Sequence, residues 1–280
     1  MQIKNATNKF VSNTSFIVLH GQEWYEKQKV AGKITAGALS LLESLVKNGT
    51  TKTLLELDGI AEEYIRDNKC EPTFKNYRGF PNAVCISYDN DEHFSMVHGV
   101  PTNYVPQPGN IIKFDLGATY RGNDSRGAIA DSALSVIVSG TTIQKHIDLL
   151  KDTRDALLKG IASIKIGQPI GSIGHAIHKH AVEKHYGNIV KYTGHGLSWD
   201  LPHARPAVYN KSEVNEGCRA QIGMSIAIEP MFTLSGSTKT WVDDDGWTIH
   251  CESRTSHWEH SLFVHKDRVE IMTLREGEVI

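Results

Sequence analysis

With 280 residues, 40% of them hydrophobic and 22% charged, the chain can bury a sizeable core and falls in the range of ordinary globular enzymes. A net charge of -2 with no basic run argues against nucleic acid or an anionic membrane as a partner. Four scattered cysteines, Cys70, Cys85, Cys218 and Cys251, form no CxxC pair, which argues against a zinc finger or a disulfide scaffold and for a reducing compartment. The first residues lack the charged start and apolar centre of a secretory signal, and no apolar run approaches the roughly 18 residues of a membrane span. A cytoplasmic location is expected.

Residues 1–21, rich in Asn, Thr and Ser, read as an extended arm with little fixed structure. From Gln22 to Lys47 the positions Trp24, Val30, Ile34, Ala38, Leu41, Leu42 and Leu45 recur at helical spacing, and Asn48-Gly49 is a helix stop. Thr53 is an N-cap with Glu56 three residues on, opening a second helix that runs to about Asn68. The segment 76–101 alternates turn residues with short apolar runs, reads as strands and delivers His98 just before Gly99 and Pro101. Two strands follow over 111–138.

After Gly140 the order repeats. Thr142 is placed to cap a helix through about Ile164, Gly167 and Pro169 break it, and a shorter helix spans about Ser172 to His185. The breaks at Gly49 and Gly167 lie 118 residues apart, which suggests two pseudo-symmetric halves, about 22–140 and 141–280, packed around one cleft within a single catalytic domain 22–280. His175, His178, His180 and His185 on the later helix read as a solvated or partly packed face, since no Glu or Cys joins them at ligand spacing.

The stretch 111–138 carries the first chemistry. Ile112, Phe114 and Leu116 share one face of a strand while Lys113, Asp115 and Gly117 share the other, and the return strand separates Asp131, Ala133, Ser135 and Ile137 from their neighbours. Folding back at Asn123 sets Asp115 opposite Asp131. Two carboxylates that close among apolar neighbours need a cation. A wet edge hairpin explains this stretch alone equally well. Downstream, TGHGLS around His195, AIEPMF around Glu229 and WEHSLFV around Glu259 add one imidazole and two carboxylates on strand-like segments. Together they make an oxygen-rich set suited to two divalent cations.

These motifs, KFDLGA at Asp115, IADSAL at Asp131, TGHGL at His195, AIEPMF at Glu229 and WEHSL at Glu259, with HGVP at 98–101, together resemble the methionine aminopeptidases of the pita-bread peptidase family over roughly residues 22–277. The resemblance implies an α+β pita-bread fold: two halves, each with a helix pair covering a curved antiparallel sheet, and a metal site in the central cleft. It implies that Asp115, Asp131, His195, Glu229 and Glu259 hold a metal pair, with cobalt, manganese, iron, zinc and nickel not distinguished. A hydroxide between the metals would attack the first peptide bond, Glu229 would move its proton, and His98 and His203 would hydrogen-bond the substrate and the developing oxyanion. Tyr77, Phe80, Cys85 and Trp247 match the pocket for methionine.

The implied substrate is the N-terminus of a peptide or nascent protein, and a monomer is expected; the sequence leaves ribosome association open. The interval from His195 to Glu229 has no room for the helical insertion of the type II enzymes, so type I is the better match. The hairpin between Asp115 and Asp131 is longer than usual for the family, which makes Asp124 a rival ligand; the register about Asn123 favours Asp131. Two other readings are a pita-bread exopeptidase of different N-terminal specificity and a non-catalytic peptide-binding relative. The full charged ligand set argues against the second.

Overall fold

The computed structural model describes residues 16–140 and 143–280; the arm before residue 16 and the cap expected at Thr142 lie outside them. Helix α1 (Gln22–Lys47) forms because Trp24, Ala31, Ile34, Ala38 and Leu42 fall on one stripe, all buried, with charged residues opposite. It stops at Asn48, and Gly49, at φ +78, takes the turn that a side chain would disfavour. Helix α2 (Leu54–Asp67) starts on the expected capping box: Glu56 N–H donates to Thr53 Oγ1 at 3.1 Å and Thr53 N–H to Glu56 Oε2 at 2.7 Å.

The first group of strands is β1 (Glu71–Pro72), β2 (Val84–Asp89), β3 (Ser95–Val97), β4 (Ile111–Tyr120) and β5 (Ala128–Ile137). A second helix pair, α3 (Gln144–Ala162) and α4 (Gly171–Glu183), precedes β6 (Gly187–Asn188), β7 (Gly194–Ser198), β8 (Leu201–Val208), β9 (Ser225–Ile228), β10 (Met231–Thr233) and β11 (Thr240–Val242). The chain ends on β12 (Ile249–Cys251), β13 (Thr255–His257), β14 (Glu259–Val264) and β15 (Val269–Ile271).

A nine-stranded antiparallel sheet runs β1-β4-β5-β14-β9-β7-β8, with β2 also on β4 and β15 also on β14; β13-β10-β6 and β11-β12-β3 form two small sheets. Alternation divides the large sheet into two faces. Ile112, Phe114 and Leu116 of β4, with Leu134 and Val136 of β5, join Leu39, Leu42 and Leu57 of the helices in the main core. The opposite face of the same two strands carries Lys113, Asp115, Asp131 and Ser135 and looks into a cleft. The helices therefore dry one side of the sheet, and the buried polar residues collect on the other.

The hairpin register differs from the expected one. Asp115 pairs with Ala133 and Gly117 with Asp131, so the aspartates are diagonal neighbours on one face and not directly opposite. The ladder closes at Tyr120↔Ala128, leaving residues 121–127 in a turn centred on Asp124. Long-range contacts hold this turn open. Arg121 reaches Glu71 at 3.0 Å and Asp200 at 2.5 Å, and Lys27 reaches Asp124 at 3.1 Å. The diagonal arrangement still keeps the two carboxylates within reach of one cation, because each faces only Ala133 or Gly117 across the ladder.

The end of the arm is also more ordered than expected. Leu19 bridges to Met224, His20 N–H donates to the Gly223 carbonyl at 2.7 Å, and the His20 ring stacks on Trp24 with centroids 3.9 Å apart. Its polar composition gave no hint of Met224 and Gly223, which lie some 200 residues away in sequence.

Candidate metal centre

Strands β4, β5, β14, β9 and β7 are consecutive neighbours in the large sheet, and each sends one side chain into the same cleft. Asp115 comes from the middle of β4, Asp131 from β5, Glu259 from the start of β14, Glu229 from the residue after β9, and His195 from β7. Pairing of His260 with Ile228 and of Glu259 with Ala133 carries Glu229 alongside Glu259 and sets Asp131 diagonal to it. The five residues expected from sequence therefore converge, although their chain order is not their order across the sheet.

The His195 Nδ1–H donates to the Gly196 carbonyl at 3.1 Å, which leaves the Nε2 lone pair aimed at the carboxylates. Nε2 lies 3.8 Å from Asp131 Oδ2, 3.7 Å from Glu229 Oε1 and 3.9 Å from Glu259 Oε1. These are spacings of atoms that share a cation, too long for atoms that share a proton. Asp131, His195 and Glu259 each offer a ligand atom within 4.8 Å of the others.

Electrostatics point the same way. Asp115 Oδ1, Asp131 Oδ1 and Glu259 Oε1 are buried without a hydrogen-bond partner. Burial pushes the Asp131 carboxyl up to about 7, and burial plus the neighbouring carboxylates holds Asp115, Glu229 and Glu259 well above the usual range. Burial likewise lowers His195 to about 4, keeping the imidazole neutral, the form that binds metal. Four carboxylates and one imidazole with orphaned oxygens are a donor set that fits divalent cations.

An apolar pocket adjoins this cage. Phe74, Phe80 and Cys85 form its buried wall with Val100 and Trp247 against them, and the Phe80 and Trp247 rings meet edge-on at 5.3 Å. Cys85 sits across the ladder from Asp115, so pocket and cage share a wall. Burial raises its thiol well above the ordinary value, which makes it a neutral lining group. Tyr77 stands on a three-residue turn, Tyr77–Gly79, bracketed by left-handed Asn76 (φ 66) and containing left-handed Arg78 (φ 52).

Two further histidines reach the cleft. His98, left-handed at φ 56 just past β3, meets Tyr192 edge-on at 5.7 Å. His203 on β8 lies 4.5 Å from the His195 ring and 5.3 Å from Tyr77 between centroids. Burial lowers His98 to about 4 and His203 well below its usual value, so both are neutral imidazoles able to donate one N–H. All the residues expected at the site from sequence line one cleft.

The sequence reading missed Phe74 and Arg78 in the lining and His257 behind Glu229. Asn76 and Gly79 flanking Tyr77-Arg78 were the available sign of a tight turn presenting side chains. For His257 there was no local sign. Asp124 lies on the outer turn against Lys27 and outside the cleft.

One other group of residues in the described segments could approach a metal, Asp152, Asp155 and His180, but it carries its own cations. Lys159 Nζ is 2.7 Å from His180 Nδ1 and Lys184 Nζ 2.9 Å from Asp152 Oδ1. His180 is thus buried against α3, a tighter packing than the helix face expected from the histidine spacing.

The sequence of residues 26–266 matches the model of metallopeptidase family M24. A methionine aminopeptidase of Mycoplasma capricolum is 37% identical over 262 residues, covering 93% of this chain and 99% of that one. Methionine aminopeptidase 1 of Mycobacterium tuberculosis is 36% identical, over 87% of this chain and 90% of that protein. Among solved structures, the methionine aminopeptidase of Thermotoga maritima superposes with a TM-score of 0.85 at 31% identity, over 93% of this chain and all of that one.

Proposed function

This chain belongs to metallopeptidase family M24, and from that premise we propose that it is a methionine aminopeptidase that removes the first residue from peptide and protein N-termini. The observation that carries the reading is the cage itself: five ligand-type side chains from five adjacent strands, with orphaned buried oxygens, sharing a wall with an apolar pocket. Relatives with that name, 36–37% identical over nearly their whole length, support it.

As a family M24 metallopeptidase the protein binds divalent metal, and we assign the holding of two cations to Asp115, Asp131, His195, Glu229 and Glu259. When bound, such cations polarise the scissile carbonyl and lower the pKa of water. The residues of this chain do the rest. Glu229, buried in the lining of the cleft, takes the proton from the attacking water and returns it to the leaving amine. His98 and His203, held neutral by burial, each donate an N–H to the substrate backbone and to the oxygen that gains charge.

Phe80, Cys85, Trp247 and Tyr77 enclose a single side chain. A thioether suits this lining, because sulfur packs favourably against aromatic edges and an unbranched chain adapts to the gap. Because Cys85 of the pocket lies across the ladder from Asp115, a first residue seated there presents the peptide bond that follows it to the ligand cage. The four unpaired cysteines fit action on nascent chains in a reducing cytoplasm.

The experiment is a panel of Met-Ala-Ser, Ala-Ala-Ser and Ala-Pro-Ser peptides assayed with cobalt or manganese. Release of methionine from the first peptide alone is expected. Preference for Ala-Pro-Ser would move the enzyme to another specificity within the family. No release from any peptide, with metal shown to be bound, would overturn the catalytic reading.

A further inference from the structure

Glu229 presents two carboxylate oxygens to two different imidazoles. Oε1 faces His195 Nε2 at 3.7 Å inside the cage, and Oε2 faces His257 Nε2 at 3.6 Å behind it. His257 belongs to none of the roles assigned above. It is 1% exposed, and both of its ring nitrogens are buried without a hydrogen-bond partner. A buried imidazole with nothing to donate to is costly, so its position calls for a partner that approaches during function.

The backbone around His257 is held unusually firmly. Its N–H donates to Ser135 Oγ at 2.9 Å while Ser135 Oγ donates to its carbonyl at 2.9 Å, so one hydroxyl of β5 clamps both main-chain groups. On its other side, residue 257 pairs with Met231 of β10, two residues beyond Glu229. The Cβ therefore has little freedom, and ring rotation alone decides which atom Nε2 meets. Of the polar groups around it, the Glu229 carboxylate approaches its Nε2 to 3.6 Å, while His98 and Lys113 act on the ring only through their charge. Catalytic hydrogen bonds are often long in the ligand-free geometry and tighten when a site is loaded.

We propose that His257 is a positioning residue: its Nε2–H donates to Glu229 Oε2, turning the carboxylate so that Oε1 stays in the cage and its proton-accepting edge faces the substrate. The role requires the Nε2–H tautomer, with Nδ1 as an acceptor toward the protein interior. It places on Glu229 the kind of outer hydrogen bond that commonly orients metal-bound carboxylates, whose loss typically costs about 10–100-fold in metal affinity or activity. The inference rests on the aminopeptidase reading only for the step that Glu229 performs; the hydrogen bond itself is readable without turnover.

The test compares wild type with His257→Gln, which keeps a donor, and His257→Leu, which does not. Calorimetric titration with manganese should show metal affinity weakened about 10-fold or more in H257L and restored to within a few-fold in H257Q. With Met-Ala-Ser, kcat should fall about 10–100-fold in H257L with KM unchanged, and recover in H257Q. Equal impairment of both variants, or a wild-type H257L, would overturn the proposal. So that the test does not depend on the folding of H257L, the tautomer is also read in the wild-type protein by long-range proton–nitrogen NMR of the histidines with zinc bound. A protonated Nε2 supports the proposal; a protonated Nδ1, or Nε2 bound to zinc, contradicts it.

Discussion

Two residues apart on the same face of β4, Lys113 and Asp115 handle the same problem in opposite ways. Lys113 is 1% exposed, and its Nζ lies 2.5 Å from Asp89 Oδ1 and 2.9 Å from Thr255 Oγ1, while Asp89 also accepts the Thr255 N–H at 2.6 Å. That pair is complete within the chain. Asp115 is nearly as buried, yet its neighbours are Asp131, Glu229 and Glu259, and its Oδ1 has no partner. Folding alone neutralises the first charge; the second group is left for a cation from solution. Structural ion pairs and a metal centre can thus be told apart by whether the protein supplies the counter-charge.

The sharpest break in this comparison comes from removing a carboxylate of each kind. Asp131→Asn should abolish metal-dependent turnover without unfolding the chain, whereas Asp124→Asn, on the outer turn, should leave turnover within about twofold, since its partner Lys27 lies outside the cleft. Peptide assays on the two purified variants check both. An inactive D124N with an active D131N would show that the turn, and not the inner face, holds the metal.

Lys113→Met should do the reverse. It leaves Asp89 buried with no cation, a loss of about 3–5 kcal/mol of stability, while metal binding and the activity of the folded fraction persist. Denaturant melts with and without manganese measure it. A stable K113M would mean that Thr255 alone satisfies Asp89.

A second self-sufficient cluster offers a pH test. Burial opposes ionisation of Glu278, but His260, whose Nε2 lies 3.4 Å away, and the Arg275 charge outweigh it and hold its carboxyl down to about 2. Arg275 lies at 2.5 Å and Arg154 at 3.2 Å. Because the folded value is below the unfolded one, the unfolded chain binds more protons between them. The stabilisation is therefore present above about pH 4.5 and is lost as pH falls through about 2. Glu278→Gln should cost on the order of 2 kcal/mol at pH 7, where the arginines carry the effect because burial holds His260 below its usual value, and nearly nothing at pH 2, read from urea melts at the two pH values. A gap that does not shrink in acid would assign the loss to packing.

The smallest expected effect is in the pocket. Trp247→Ala should raise KM for Met-Ala-Ser about tenfold, on the order of 1.4 kcal/mol of lost contact, and leave kcat nearly unchanged. A fall in kcat at constant KM would instead place Trp247 among the groups that act on the transition state.

Much of this was legible in the chain because strands have a period of two. Alternation in 111–138 assigns Asp115 and Asp131 to the face opposite Phe114 and Leu134 whatever the register, and the structure agrees. The register itself was not legible. It depends on Arg121 reaching Glu71 and Asp200, contacts across 50 and 79 residues that set the length of the turn. Helix bounds followed from local signals, as the Thr53–Glu56 box shows. The order of the ligands across the sheet, and the approach of His257 to Glu229, arise from strand pairing between distant segments and leave no trace in local pattern.

The cleft gathers four buried carboxyls with no counter-charge from the chain, and cations from solution are what complete it. Native mass spectrometry of the protein exchanged into manganese measures this directly. Two metals per chain in the wild type, reduced or lost in Glu259→Gln and kept in Lys113→Met, is the predicted result; a wild type that binds none, or an E259Q variant that binds as many as wild type, would contradict it.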